Sequence, residues 1–509
     1  MYRFIQYVFF TGLFIPLSIF AQNQPVIKVK ATAPVAPLIR EQTRNVFLHL
    51  AIYTDSTGFT VDALHFNFNK KAHSLLDSIF IYQNVLQPNF DPKANVQGFA
   101  PAEKCKLDGI MLNPGYTYLW VAVKLKPNVS LDGNIDMHVT SLSVNPTSRI
   151  EVEEVGGGFS KKIGTAVRSA WDDGVHTYRI PGMAITDKKT LIAVYDIRYK
   201  HSGDLPANVD VGMSRSTDGG NTWEPMKIIM DMGEPHDNNG VGDPAIVFDP
   251  ISKKLFVVAL WSKGNRSIAG SGPGLTPDET GQLVIAESHD DGLTWTKPVS
   301  ITPQVKDPAW KLFFQGPGNG MVMKNGTIVF AAQYWDKAHM PHATIIYSID
   351  RGKNWKRGVA AKSNTTEAQV EELQSGTLML SMRDNRGKYR SVATTSDMGQ
   401  TWLEHPTSYN TLEDPICMAG FTKANVQTRE GLKDILFFSN PNSSLSRINM
   451  SIRASKDFGD TWPYSLLIDE RSSFGYSVMV RLDEKTIGLL YEGIRDLYFV
   501  RVPVKEIVR

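Results

Sequence analysis

Ser216-Thr217-Asp218-Gly219-Gly220-Asn221-Thr222-Trp223 is an octet that the chain writes again, with small changes, at Ser288 to Trp295, Ser348 to Trp355, Thr395 to Trp402 and Ser455 to Trp462. The shared pattern is Ser/Thr-x-Asp-x-Gly-x-Thr/Asn-Trp, recurring at intervals of roughly fifty to seventy residues. A unit repeated at that interval predicts a radial array of small β-sheets, and this restricts where an active site can lie. Each octet reads as a hairpin turn. The Asp accepts backbone N–H groups of its own turn, the Gly supplies a positive φ at low cost, and the closing Trp lies over the turn and buries it. Calcium binding is the alternative for an Asp-bearing turn, but each copy offers one dependable carboxylate and lacks the distal Glu of an EF-hand loop. A scaffold role is expected, with no metal and no cofactor.

Between the octets lie strand-like runs such as Leu255 to Leu260, Thr327 to Ala332, Thr377 to Met382 and Ile435 to Phe438, most of them bounded by turn residues. The octets resemble the Asp boxes of the sialidase superfamily, a motif also found in some non-enzymatic propellers. They therefore speak more strongly for the fold than for an activity. Five boxes plus one box-less blade, closed by strands from both ends, predict an all-β fold containing a six-bladed β-propeller.

With 509 residues the chain is too long for one ordinary domain. Residues 1–21 read as a signal peptide: Arg3 stands near the start, an apolar run extends from Phe4 to Phe20 with Pro16 inside it, and Ala21 precedes Gln22. A membrane anchor is the alternative. No Cys directly follows the run, which argues against a lipoprotein, and no later segment approaches a membrane-spanning length. A secreted or periplasmic monomer without stable membrane insertion is expected. The formal charge of +2 gives no global field that would point to nucleic acid, so any anion recognition must be local. Cys105 and Cys417 fall in different predicted domains, and no disulfide is expected between them.

Residues 22–155 contain no box. Leu64, Phe66 and Phe68 alternate with polar neighbours, as do Ile135, Met137 and Val139, while Tyr116 to Leu125 is apolar on both faces and reads as a central strand. A β-sandwich preceding a propeller over 156–509 follows, with Gly156-Gly157-Gly158 as the linker. It resembles the small domain in front of the propeller in sialidases of Bacteroides-type bacteria, where sugar binding and a spacer role are both open.

Tyr178-Arg179-Ile180-Pro181, Asp196-Ile197-Arg198 and Ser202-Gly203-Asp204-Leu205-Pro206 flank the start of the repeat region. Glu367-Ala368-Gln369-Val370, Met382-Arg383-Asp384-Asn385, Asn440-Pro441 with Arg447, Gly475-Tyr476-Ser477 and Leu490-Tyr491-Glu492 follow in that order. The ordered set, over about residues 165–500, resembles the active-site residues of bacterial exo-sialidases. The resemblance implies a retaining exo-α-sialidase that acts on sialylated glycans, glycoproteins or glycolipids. Trans-sialidase and intramolecular trans-sialidase activities share the residue set, and a non-catalytic glycan-binding propeller is the rival from another class.

Chemistry explains the company these residues keep. Sialic acid carries a carboxylate on its anomeric carbon, which calls for planar, permanently charged donors. By resemblance these are Arg179, Arg383 and Arg447, with Glu492 orienting Arg179. An Asp or Glu nucleophile would meet that carboxylate with a repulsion of roughly 4 kcal/mol for charges about 4 Å apart at an effective dielectric of about 20. A neutral nucleophile avoids this cost. The resemblance assigns Tyr476 as nucleophile, Glu367 as its base, and Asp204 as the acid/base that protonates the leaving oxygen and later activates water. It places Arg198 at the sugar's 4-hydroxyl and Asp243 at the N-acetyl N–H.

Other residues compete for these roles: Glu371 and Glu372 for the base, Arg386 and Arg390 for Arg383, and Asp196 and Asp210 for Asp204. The Gly, Ser and Pro-rich stretch Lys263 to Gly281 is either a surface excursion or a rim over the site. Trp261 and Trp335 either wall the sugar or fill blades. Gln315 to Gly320 lacks the Lys and Ser/Thr of a phosphate loop.

Overall fold

The computed structural model describes residues 26–84, 90–146, 149–374 and 376–509. The expected signal peptide over 1–21 lies outside the described residues. The strand-like runs named above fall within the strands Lys254–Lys263, Ile328–Trp335, Leu378–Asp384 and Gly431–Pro441 or at their edges.

Six small antiparallel sheets stand around one axis. Their innermost strands are Thr177–Ile185, Asn239–Asp249, Leu312–Gln315 with Met321–Val322, Thr365–Glu372, Gly420–Thr428 and Ser477–Asp483. Each sheet packs on the next, and the sixth returns to the first. The ring is closed by a strand from its far end: Ser160–Arg168, which precedes the first blade in sequence, pairs antiparallel with Leu497–Pro503 of the sixth, matching Thr165 to Phe499.

The closure explains why the sixth blade has no box. In the first five blades the octet forms the turn between the third and fourth strands, as between Val209–Ser216 and Lys227–Met230. In the sixth, the third strand Leu497–Pro503 runs toward the C-terminus, and the outer strand comes from Ser160–Arg168 instead. There is no chain connection for a box to turn.

The boxes share one hydrogen-bond scheme. In the first, Gly220 N donates to Ser216 Oγ (2.8 Å), Thr222 N donates to Asp218 Oδ1 (2.9 Å), and Thr222 Oγ1 donates to Asp218 Oδ2 (2.7 Å). The second, third, fourth and fifth repeat it around Asp290, Asp350, Asp397 and Asp457. Gly352 shows why the glycine is required: its φ is +84°, and a Cβ there would lie 2.5 Å from Phe256. Trp355 and Trp462 each close their turn by donating Nε1–H to the box glycine's carbonyl, at 3.1 Å.

Register places the boxes opposite the site. Leu191 pairs with Ser216 at the box end of the first blade, and Arg198 pairs with Val209 at the other end. At the usual rise per residue the two ends stand about 23 Å apart.

The N-terminal unit packs two sheets face to face. One has the order Glu153–Val155, Ile27–Thr32, Asn45–Thr54, Gly115–Leu125, Leu76–Asn84, Asn95–Phe99. The other contains Lys104–Leu112, Phe59–Phe68 and Asn134–Asn145 and continues through Ser160–Arg168 into the sixth blade. Leu50, Ile52, Val61, Leu64, Leu119, Val121 and Ile135 fill its core, which runs on without a break to Tyr178 and Tyr195 of the first blade. Gly115–Leu125 is central in its sheet, but its two faces differ: Leu119 and Val121 are buried, whereas Tyr116 is 57% exposed. The apolar outer side comes from aromatic rings stacked along the sheet, such as Tyr116 on Tyr118.

The two units are stitched together at the first box. Arg40 Nη2 donates to Asn221 O (2.6 Å), and Leu131 N donates to Asn221 Oδ1 (3.2 Å). Gly158 is packed against the carbonyl of Ala33. Cys105 and Cys417 are both free and buried, and burial pushes their thiols up to about 11 and about 12.

Candidate active site

The inner strands of three blades lose register at one end of the ring, between Arg179 and Gly182, Gly242 and Ala245, and Thr365 and Ala368. A bulge turns a side chain out of the strand's alternation. At these points it aims Arg179, Asp243 and Glu367 toward the axis. Ile180 and Asp243 have φ of 56° and 58°, and a β-branched residue held there is strained backbone of the kind that gathers at functional sites.

The bulges surround a cavity of about 350 Å³ at the axial mouth. Its polar lining includes Arg179, Asp204, Asp243, Glu367, Arg383, Arg447 and Tyr476, and its apolar lining Leu205, Leu260, Ile268, Phe314 and Trp335. Two of the residues predicted from sequence lie beneath this lining: Glu492 is 0% exposed and Arg198 is 1% exposed.

Tyr476 is the centre of the polar side. Its hydroxyl donates to Glu367 Oε1 at 2.5 Å, and Arg383 Nη1 donates both to Glu367 Oε2 (2.7 Å) and to the Tyr476 hydroxyl (3.1 Å). The guanidinium carbons of Arg179 and Arg447 lie 5.3 and 5.7 Å from its ring centre. Glu492 grips the assembly from below. Its Oε1 accepts Arg179 Nε–H (3.1 Å) and Ile180 N–H (2.9 Å), and its Oε2 accepts Tyr476 N–H (2.9 Å). Gly475, with φ +91°, lets this corner close: a Cβ there would come within 3.3 Å of Pro441, Cys417 and Arg447 together.

Arg447 is held by carbonyls, donating to Phe474 O (2.8 Å) and Ile416 O (3.0 Å). Asp204 is carried on the loop 199–208 with its side chain 76% exposed, and its Oδ1 accepts from Arg198 Nη1 (2.6 Å) and Arg179 Nη1 (3.4 Å). Arg198 also donates to Ser202 O and to Asp196. It underpins Asp204 from below the cavity lining.

The competitors turn elsewhere. Arg386 pairs with Asp384, and Arg390 is fully buried with Nη1 on Cys417 O (2.6 Å). Glu372 accepts backbone N–H groups of Lys324 and Gly376, and burial raises the Glu371 carboxyl to about 7 beside Lys423. Asp210 accepts Tyr199 Oη–H at 2.8 Å. The stretch Lys263 to Gly281 reaches the site, since Ser267 and Ile268 line the cavity. Trp335 stands in its wall, while Trp261 donates to Asn239.

Asp196, a rival to Asp204 by sequence, ties two parts of the site together. Its Oδ2 binds Arg198 (2.8 and 3.1 Å), and its Oδ1 accepts Asp243 N–H (2.8 Å) across the blade boundary. A signal was available in the sequence: residues two apart on a strand share a face, which puts Asp196 beside Arg198. The bond to Asp243 crosses blades and had none.

Burial and then the Glu367 charge hold the Tyr476 hydroxyl well above the ordinary phenol range, so the resting form keeps its proton. Burial, reinforced by Asp196 and Asp204, keeps Asp243 protonated well above the carboxylate range. For Asp204, partial desolvation at the cavity mouth pushes upward, but the Arg198 and Arg179 charges outweigh it and hold the carboxyl low. Among the described residues no cluster of three or more His, Cys, Asp or Glu could hold a metal ion.

A six-bladed propeller with a tyrosine, a carboxylate partner and converging arginines at its axial mouth defines a glycosidase of the propeller class. Comparison with known proteins makes the assignment specific. Residues 197–490 match the BNR repeat-like domain, and residues 26–148 match the N-terminal domain of BNR-repeat neuraminidase. A sialidase of Bacteroides fragilis is 44% identical over 408 residues, 78% of this chain and 75% of that one. A sialidase of Micromonospora viridifaciens is 32% identical, covering 64% of this chain and 52% of its own. Among solved structures, the Hadza microbial sialidase Hz136 superposes with a TM-score of 0.88 at 38% identity, covering 94% of this chain and all of that one. The chain belongs to the BNR-repeat neuraminidase family.

Proposed function

We propose that this protein is an exo-α-sialidase that removes terminal α-linked sialic acid from glycoconjugates with retention, through a covalent intermediate on Tyr476. The observation that carries the reading is the 2.5 Å bond from the Tyr476 hydroxyl to Glu367 Oε1 within reach of the Arg179, Arg383 and Arg447 guanidiniums.

The substrate carboxylate binds the three arginines. Tyr476 Oη attacks the anomeric carbon while Glu367 takes the phenolic proton, and Asp204 gives a proton to the departing glycosidic oxygen. In the second half, Asp204 takes a proton from water as that water attacks the same carbon; the Tyr476–sugar bond breaks, and Glu367 returns the proton to the phenolate. Two inversions give net retention. Arg383, touching both Tyr476 and Glu367, stabilises the negative charge that moves between them.

Under the same reading the chain divides into a sandwich over 22–155 and a catalytic propeller over 156–509, exported by a signal peptide to the periplasm or the medium and working as a monomer. Arg198 serves the sugar's 4-hydroxyl region while holding Asp204, and Asp243 meets the N-acetyl N–H.

An α-sialyl aryl glycoside, followed by NMR from the first turnover, tests the reading. Initial release of the α-anomer of free sialic acid supports it. First appearance of the β-anomer, an anhydro sugar, or no release at all refutes it.

A further inference from the structure

Resting on that reading, the geometry points to Trp171 as the platform for the sugar that leaves with the glycosidic oxygen. Of ten tryptophans, Trp171 alone stands largely in solvent, 61% exposed. A ring of this size is ordinarily covered when nothing binds it. Its backbone is left-handed, φ 75°, a conformation that a bulky residue adopts only where its surroundings impose it.

The surroundings do impose it. Ala170 N donates to Asp496 Oδ1 (2.6 Å), Trp171 N to Val175 O (2.7 Å), Ser169 N to Asp172 Oδ2 (2.8 Å), and Tyr178 Oη to Asp172 O (2.8 Å). His176 meets the ring edge-on at a centroid distance of 5.1 Å, and the Arg495 guanidinium carbon lies 5.8 Å from the ring centre. An indole anchored in this way keeps a large apolar face in water.

Position supplies the occupant. The segment 169–176 crosses from the outer strand of the sixth blade to the inner strand of the first, on the end of the ring that holds the site. It docks on the start of the Asp204 loop through His176 N to Tyr199 O (3.2 Å). Asp204 must reach the glycosidic oxygen, so the leaving sugar emerges beside this loop. A pyranose has one face of C–H groups that stacks on an indole and hydroxyls that a guanidinium can bind. Trp171 and Arg495 offer that pair of surfaces. The ligand class is therefore a neutral pyranose at the reducing side of the sialic acid.

Hydrolysis of α-sialyl-lactose and of methyl α-sialoside by the full chain and its Trp171→Ala variant separates the outcomes. The variant should lose about three- to tenfold in kcat/KM on sialyl-lactose, carried by KM, and stay within about twofold on the methyl glycoside, which has no ring to stack. Trp171→Phe should recover most of the loss. Saturation-transfer NMR should detect lactose on the wild type and not on Trp171→Ala. Equal losses on both substrates, or no loss on sialyl-lactose, overturn the platform. A wild type that cleaves neither substrate overturns the sialidase reading instead.

Discussion

Glu492 accepts the backbone N–H of Tyr476 at 2.9 Å with the carboxylate oxygen it does not use for Arg179. One fully buried carboxylate thus sets both where the nucleophile's backbone stands and where the first arginine points. Glu492→Gln keeps the shape but replaces one acceptor oxygen with a donor that faces N–H groups. We expect kcat to fall about 10²-fold or more through misplacement of reacting groups, with a lower melting temperature. Steady-state kinetics on an aryl sialoside alongside thermal melts check this; wild-type kcat in the folded variant would contradict it.

Tyr476→Phe removes the attacking oxygen and leaves the ring between Arg179 and Arg447. Turnover should drop by about 10³-fold or more, while affinity for free sialic acid changes little. Calorimetry of sialic acid binding and a sensitive fluorogenic assay measure the two separately. Retained turnover would remove Tyr476 from the chemistry.

Arg198 and Arg179 together overcome the partial desolvation at the cavity mouth that would otherwise raise the Asp204 carboxyl. In Arg198→Gln the nearest positive charge and its hydrogen bond disappear, so the Asp204 pKa should rise. The acid form then persists to higher pH, and the alkaline limb of kcat/KM should move upward for a substrate with a poor leaving group. A profile shifted toward lower pH, or not shifted, would show that Asp204 does not govern that limb.

The box carboxylates make a collective prediction about acid stability. Hydrogen bonds from the side chain and backbone N–H four residues on hold Asp290, Asp350 and Asp397 at about 2, and Asp218 and Asp457 are also lowered. A carboxylate whose folded pKa is depressed stabilises the fold above its unfolded pKa and loses that contribution as pH falls through the folded value. Melting temperature should therefore decline between about pH 4 and pH 2, and Asp→Asn at Asp290, Asp350 and Asp397 together should flatten that decline. Melts across this range test it, and an unchanged slope would place the acid sensitivity elsewhere.

Asp196 links Arg198 to the Asp243 bulge. Asp196→Asn should impair cleavage of poor leaving groups more than of aryl ones, and it should add little once Asp204 is already Ala. A double-mutant cycle measures this. Full additivity would reduce Asp196 to a general packing role.

The five octets were legible because a turn is a local object: Asp, Gly and the hydroxyl residue make their bonds within eight positions of chain, so the pattern alone states the geometry. Strand alternation was legible for the same reason. The catalytic residues were legible only as an ordered resemblance, since nothing local distinguishes Tyr476 from the sixteen other tyrosines of the seventeen in the chain. What tertiary structure alone decided are the relations between blades: that Arg383 reaches Glu367 and Tyr476 while Arg390 turns to Cys417, that Arg198 supports Asp204 from below, and that Trp171 stays in water. These depend on inner-strand bulges and on a closing strand more than three hundred residues away in sequence from its partner. Local chain chemistry specifies the turns and the faces of the strands; ring closure selects which of those faces meet, because only there do side chains from different blades converge on one axis.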